Sequence, residues 1–429
     1  MVVCLPQEIV DQVIDHLHTN LISLRACTLV HTSWLSSSSL HLFRCIRWPP
    51  CPYLWDDLAQ GSVEQCRCPR KGNSSWTEEL MQLFTTSRDI GRYVQEFHLS
   101  LGGYWQLHPQ RAHPTIRDNG RLHWKDLLKI VDAMPLLKHL NIRALRFRPA
   151  SPDDQPSRTI SRSLQGLSLN SPLRHLDLGS LGHFLRSFDQ IKNLVIDDFR
   201  SPGPLAHYTP GPVPSVDSVT IVHALGNASP YFRAIQHNFD CGSIRFLFLV
   251  DIPFGDPEFV ALEDIFRESP NLATIISDST PYDIFLRVSF PCPGLREFRT
   301  FGYCMFNGSG ISFTSWDNIW AVFASPMMSN VDSLSIKFSM GKIDNEDPVA
   351  MPDDAELEIV QVLRLLDWTL VNRAASRLRH FSLHLELDVA SRFWTSDQNA
   401  CVARVKTIVE DQVTSRVRDA LELVVELAL

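Results

Sequence analysis

The side chains best suited by type and spacing to chemistry are the carboxylate pairs Asp153-Asp154 and Asp353-Asp354, with His16-x-His18 and Cys66-x-Cys68. Neighbouring carboxylates can divide general-acid and general-base work when their surroundings push their pKa values apart. Each pair here follows a proline in a loop-like stretch, where a solvated loop or the first turn of a helix accounts for the charge. His16 and His18 are two residues apart on a helical pattern and do not share a face. A Cys-x-Cys with no second pair and no nearby His falls short of the ligand set that zinc takes. No glycine-rich phosphate loop, His-Glu-x-x-His or Gly-x-Ser-x-Gly is present. The reading is of a non-catalytic protein, without cofactor or metal, that works by binding.

With 429 residues, 44% apolar and 21% charged, the chain is globular and long enough for more than one domain. A net charge of −8 argues against nucleic acid as the main partner, because phosphate binding needs a basic surface. No apolar run approaches the ~20 residues of a membrane helix, and the N-terminus lacks the pattern of a secretory signal. The ten cysteines are scattered, as thiols of a reducing compartment are. A cytoplasmic and/or nuclear protein with no membrane partner is expected.

The elements that must position a binding surface begin at Leu5 to Ile46, which reads as three helices. Pro6 suits a first helical turn, since its φ is already helical and its missing N–H has no partner there. Ile9, Val13 and Leu17 recur at i, i+4 and i+8 and so form one stripe, while Asp11, Gln12 and Asp15 face elsewhere. Asn20 breaks the helix. Ser23 is placed to cap a second one, with Leu24, Cys27 and Val30 on its apolar side and Trp34 extending it. The Ser36–Ser39 run reads as a solvated turn before Leu40 to Ile46.

These residues resemble the F-box. The family's Leu-Pro-x-Glu-Ile, its following apolar pair and its Leu stand here as Leu5, Pro6, Glu8, Ile9, Val13, Ile14 and Leu17. The later Leu-Val-x-x-x-Trp is Leu29, Val30 and Trp34, and the closing Leu-Phe is Leu42 and Phe43. His31 and Thr32 depart from the pattern, which often has Cys and a basic residue there. The resemblance implies a substrate-recognition adaptor of an SCF (Skp1–cullin–F-box) ubiquitin ligase. The helices would dock on a Skp1-like linker protein and through it a cullin, while the rest of the chain holds an unknown protein substrate. The adaptor would supply proximity, concentrating substrate lysines near a thioester carried elsewhere. On this reading Leu5, Pro6, Ile9, Val13 and Leu17 face Skp1. Leu24, Cys27, Val30, Trp34, Leu42 and Phe43 hold the helices together. The alternative is a leucine-rich-repeat interaction scaffold with no role in ubiquitin transfer.

After the F-box at 1–46, residues 47–90 read as a Pro-rich connector that packs on the repeat domain, with a helix from about Thr77 to Ser87. From 91 to 399 one phrase returns: apolar, two residues, apolar, one residue, apolar. It appears as Val94-Phe97-Leu99, Leu137-Leu140-Ile142, Leu173-Leu176-Leu178, Ile191-Leu194-Ile196, Val216-Val219-Ile221 and Ile244-Leu247-Leu249. It continues through Leu272-Ile275, Leu295-Phe298, Val331-Leu334-Ile336 and Leu378-Phe381-Leu383. Leu164-Leu167-Leu169 fits as well but lies too near Leu173 to be a separate repeat. Each phrase alternates like a strand buried on one side. Helical patterns at 124–134, 257–268, 316–323 and 353–373 stand between them. The arrangement resembles the leucine-rich-repeat-like arrays that follow the F-box in many fungal proteins. A non-repetitive α/β domain whose strands read alike would give the same pattern. Residues 400–429, with Val402, Val405, Val409, Val413 and Val417, predict a C-terminal capping helix frayed beyond Leu421. The expected fold is α/β (α+β overall): a three-helix F-box, then an irregular leucine-rich-repeat-like solenoid of parallel strands and helices.

The third and fifth residues of each phrase face away from the core and would line the concave side of such an array. His175, Asp177, Phe246, Phe248, Ile276 and Arg299 are the candidate substrate contacts among them. Phe246 and Phe248 read either as a partner hot spot or as a pair covered by a loop or the C-terminal helix.

Overall fold

The computed structural model combines parallel strands with interspersed helices between Cys45 and Leu427. It describes residues 6–48, 76–86, 88–100, 121–143, 146–147, 162–170, 178–197, 212–222, 229–250, 252, 256–278, 285, 287–307, 310–312, 322, 325–342, 363, 368–376, 378–388 and 398–427. The chain divides into two units: 1–217 with 224–226 and 233–240, and 218–223 with 227–232 and 241–429.

The first unit opens with α1 (Gln7–His16), α2 (Leu21–Val30) and α3 (Thr32–Phe43). Pro6 is the N-cap of α1, and Glu8 sits in its first turn. Asn20, not Ser23, caps α2: its Oδ1 accepts the Ser23 N–H at 3.0 Å. The serine run is not a turn. Ser36–Ser39 lies inside α3, capped by His31, and Ser38 and Ser39 are buried. Gln7 Nε2 of α1 donates to the Ser33 carbonyl of α3 at 3.1 Å.

From α3 the chain passes directly into a ladder of parallel strands: β1 (Cys45–Trp48), β2 (Glu96–Ser100), β4 (His139–Arg143), β6 (Ser163–Asn170) and β7 (Gln190–Asp197). Cys45, Glu96, His139, Gly166 and Asn193 stand side by side across it. Two short strands, β3 (Arg121–Leu122) and β5 (Arg146–Phe147), pair separately. Helices α4 (Trp76–Thr86), α5 (Arg88–Gly91), α6 (Trp124–Asp132) and α7 (Leu178–Leu185) lie between strands in the chain. Helix α6 starts where His123 Nδ1 accepts the Lys125 N–H at 3.2 Å, and Pro135 follows its end. The helix α8 (Ser229–Asn238) comes after strand β8 (Ser215–Val222) in sequence.

The second unit repeats the scheme with β8 (Ser215–Val222), β9 (Phe246–Val250), β10 (Thr274–Asp278), β11 (Glu297–Asn307), β13 (Ser333–Lys342), β14 (His380–Asp388) and β15 (Leu421–Leu427). All are parallel, and β12 (Gly310–Ser312) folds back antiparallel on β11. The row Ser218, Phe246, Thr274, Glu297, Ser333 and His380 crosses this ladder. Among the described residues the α-helices that follow are α9 (Asp256–Glu268), α10 (Trp368–Ala375), α11 (Gln398–Gln412) and α12 (Ser415–Ala420).

A backbone device recurs with the phrase. The carbonyl of the residue just before one strand accepts two successive N–H groups of the next: Arg44 from Gln95 and Glu96, Gln95 from Lys138 and His139, Lys138 from Gln165 and Gly166. In the second unit Arg245, Ala273, Arg296 and Asp332 serve the following strands in the same way. The first apolar residue of a phrase also donates its N–H three residues back, as Leu137 does to Met134 and Leu272 to Ser269. These bonds fix the register at which each phrase enters its strand. Its apolar positions then fill the core: Phe97, Leu140, Leu194, Leu247, Phe298 and Phe381 are all buried, each contributing roughly 1.5–3 kcal/mol.

Three expectations are corrected. Leu178 begins α7, while Leu173 and Leu176 lie outside the described residues; the strand is β6, carrying Leu164-Leu167-Leu169. Leu137, Leu164 and Ile191 stand 27 residues apart, so Leu164 keeps a regular step that Leu173 breaks. The C-terminus is not one capping helix. Val405 and Val409 on α11, Val413 between the helices and Val417 on α12 are buried, but Leu421–Leu427 then joins β14 as a parallel strand. Lastly, the three helices do not end at Ile46 in a connector, because Ile46 and Arg47 belong to β1; of the Pro-rich stretch, 49–75 lies outside the described residues.

Candidate docking surface

Helix α1 carries apolar residues on two sides, and only one is used internally. Val10 and Ile14 are buried with Leu24 and Cys27, and Leu17, Trp34 and Leu42 pack against that cluster. Ile9 and Val13, one turn apart, remain 43% and 39% exposed. Pro6 is exposed as well, and Leu5 lies outside the described residues. The predicted stripe of Ile9, Val13 and Leu17 is therefore split: Leu17 turns inward with Val10 and Ile14, at i, i+4 and i+7.

Val30 is corrected too. Its spacing predicts a core position, yet it is 64% exposed, because Leu24 and Cys27 already fill the side of α2 that faces α1 and α3. Leu21, Ile22 and Leu29 are exposed on the same helix, and Leu35 on α3. Phe43 is part-buried at the end of α3. Seven of the eleven exposed large hydrophobic residues described in the chain fall between Ile9 and Leu35. Apolar surface concentrated in one small unit marks an interaction site more than a random scatter does.

Polar contacts keep this unit assembled. Asp11 accepts hydrogen bonds from Ser37 Oγ of α3 and from Gln7 Nε2 at 2.7 Å. Those bonds, Ser37's first, hold its carboxyl below the usual range. His41 Nε2 lies 2.8 Å from Asp15 Oδ1, a second tie between α3 and α1.

The outward faces of the strands are the other candidate surface. Parallel sheets are usually covered on both faces, but in each ladder most of the described residues between the buried apolar positions are part-exposed or exposed, with Ser100 and Thr274 buried. Phe246 and Phe248 flank the buried Leu247 and are part-buried, as is Ile276. Arg299 is exposed and donates from Nε to Glu297 at 2.8 Å, while Thr274 Oγ1 donates to the same carboxylate at 3.1 Å. His175 and Asp177 lie outside the described residues.

One group among the described residues has the donor types and proximity to hold a metal ion: Cys45, Glu96 and His98. Burial raises the Cys45 thiol and Glu96 adds to it, against Arg47 and Arg44, while burial and then Arg47 depress His98. Reading cysteines by their sequence neighbours misses this group, which the strands bring together. The signal is Phe43-Ile46-Trp48, the repeated phrase present once more before Val94. Asp153-Asp154 and Asp353-Asp354 lie outside the described residues. No helix among the described residues is long and apolar enough to cross a membrane. No family model matches the chain, and no curated protein matches it.

Proposed function

We propose that the protein is a substrate-recognition adaptor of an SCF-type ubiquitin ligase. Its N-terminal helices act as an F-box that docks on a Skp1-like linker protein, and the strand-bearing units, a leucine-rich-repeat-like array, hold a protein substrate. The observation that carries this reading is the exposed apolar side of α1 and α2, where Ile9, Val13, Ile22, Leu29 and Val30 stand open beside a core that does not need them. Removing that surface from water on docking is the driving force. The strand phrases, stacked in chain order with half-open outward faces, supply a broad surface for the substrate.

The test is co-purification with Skp1 and a cullin. Pro6→Ala with Ile9→Ala abolishes recovery of both while far-UV circular dichroism of the variant stays unchanged. Undiminished recovery refutes the docking assignment. A wild-type chain that captures neither partner defeats the adaptor reading in favour of a scaffold without ubiquitin transfer.

A further inference from the structure

The ladder of the first unit holds a cluster that the docking reading does not use. Cys45 begins β1, Glu96 is its register partner on β2, and His98 follows Glu96 by two residues. Side chains alternate along a strand, so all three emerge on the same outward face. The thiol sulfur, a carboxylate oxygen and an imidazole nitrogen lie within 4.8 Å of one another, with Cys45 exposed and the other two part-buried. Ligands bonded to a tetrahedral ion at about 2.0–2.3 Å stand roughly 3.3–3.8 Å apart. The three donors, within 4.8 Å of one another, must therefore close by about 1 Å to reach that spacing.

The donor set is selective. A thiolate and an imidazole suit zinc, whereas calcium and magnesium take oxygen ligands. Thiolate and carboxylate would set two negative charges against the ion's two positive ones, with the Arg47 side chain, which bonds the Cys45 thiol, turning aside on binding. Arg44 stands 3.8 Å from Glu96 Oε1, close enough to orient the carboxylate. The donors sit on two hydrogen-bonded strands, which restricts their placement more than a loop would.

We propose that Cys45, Glu96 and His98 form a zinc-binding site on the first two strands, with water as the fourth ligand. The site stands independently of the adaptor reading, because none of its residues belongs to the exposed apolar surface of α1 and α2.

The experiment is titration of the purified full chain with Co(II) as a spectroscopic stand-in, followed by displacement with Zn(II). The wild type takes up one equivalent of Co(II) with tetrahedral visible bands and a thiolate charge-transfer band, and Zn(II) erases both. Cys45→Ser removes the charge-transfer band. Since loss of an outer-shell partner already costs about 10–100-fold in affinity, His98→Ala and Glu96→Gln each weaken Zn(II) binding by at least about a hundredfold. Melting curves establish that the variants are folded. A charge-transfer band that survives Cys45→Ser puts the ion on other cysteines and overturns the proposal. So does a wild-type chain that takes up no Co(II).

Discussion

Ile9 and Val10 are consecutive on α1 and point about 100° apart around the helix: Val10 keeps 1% of its surface and Ile9 keeps 43%. One side of the helix belongs to the fold and the other is exposed, so on the proposed docking reading stability and partner capture separate by position. Ile14→Ala, on the buried side, lowers stability by about 2–5 kcal/mol through the cavity it leaves. Ile9→Ser with Val13→Ser changes stability by about 0.5 kcal/mol or less per site, as exposed substitutions do. Urea denaturation measures both effects, and on the proposed docking reading the Ile9→Ser, Val13→Ser variant loses Skp1 capture while it stays folded. Equal destabilisation by both sets of variants contradicts the division.

The contact between α1 and α3 depends on acid. Asp11 is lowered in the folded chain by bonds from Ser37 and Gln7, so its contribution is present above the unfolded value of about 3.9 and is lost as pH falls through the lower folded value. Ser37→Ala removes the larger cause and moves the Asp11 midpoint upward. Carboxyl chemical shifts followed by NMR across the acid range report it, and an unmoved midpoint shows that Ser37 is not the cause.

Much of the fold is legible because burial repeats. The phrase ending Leu140-Ile142, Leu247-Leu249 or Leu383 places its residues on strands, since two apolar positions at alternate residues can reach one side of a sheet. Local pattern alone favours Leu173 over Leu164, and only the constant step from Leu137 to Ile191 reverses that choice. Leu421–Leu427 escapes because Leu-Glu-Leu-Val-Val-Glu-Leu follows a helical valine pattern, and only pairing with Phe381–Leu387 makes it a strand. On α1, periodicity finds an amphipathic helix but does not tell the side of Ile9 from the side of Val10, since both are apolar. The positions of Leu24 and Cys27 decide it. Cys45 and Glu96 meet only through register, which sequence spacing does not encode.

Gly91, at the end of α5, is fixed by a close approach. A Cβ at this position would stand 2.0 Å from the Ala133 carbonyl oxygen just beyond α6, which is backbone and cannot rotate away. Gly91→Ala therefore separates α5 from α6 and costs about 1–3 kcal/mol, the range of overpacking. Chemical denaturation gives the value. An unchanged midpoint means that the two segments do not meet as described.

Phe246 and Phe248 lie beside Ser218, Thr220, Thr274 and Ile276 on the outward face of the second unit's ladder. Their part-buried state leaves ring surface for a partner, and aromatic residues in that position carry a disproportionate share of binding energy. If they hold the substrate, Phe246→Ser with Phe248→Ser eliminates the proteins whose proximity labelling rises under a proteasome inhibitor, while capture of Skp1 persists. The buried neighbour gives the contrast: Leu247→Ala costs about 2–5 kcal/mol of stability and lowers both signals together by depleting folded protein. A labelled set that survives the double substitution at full strength moves the substrate contact away from these rings, and the exposed Arg299 becomes the next position to replace.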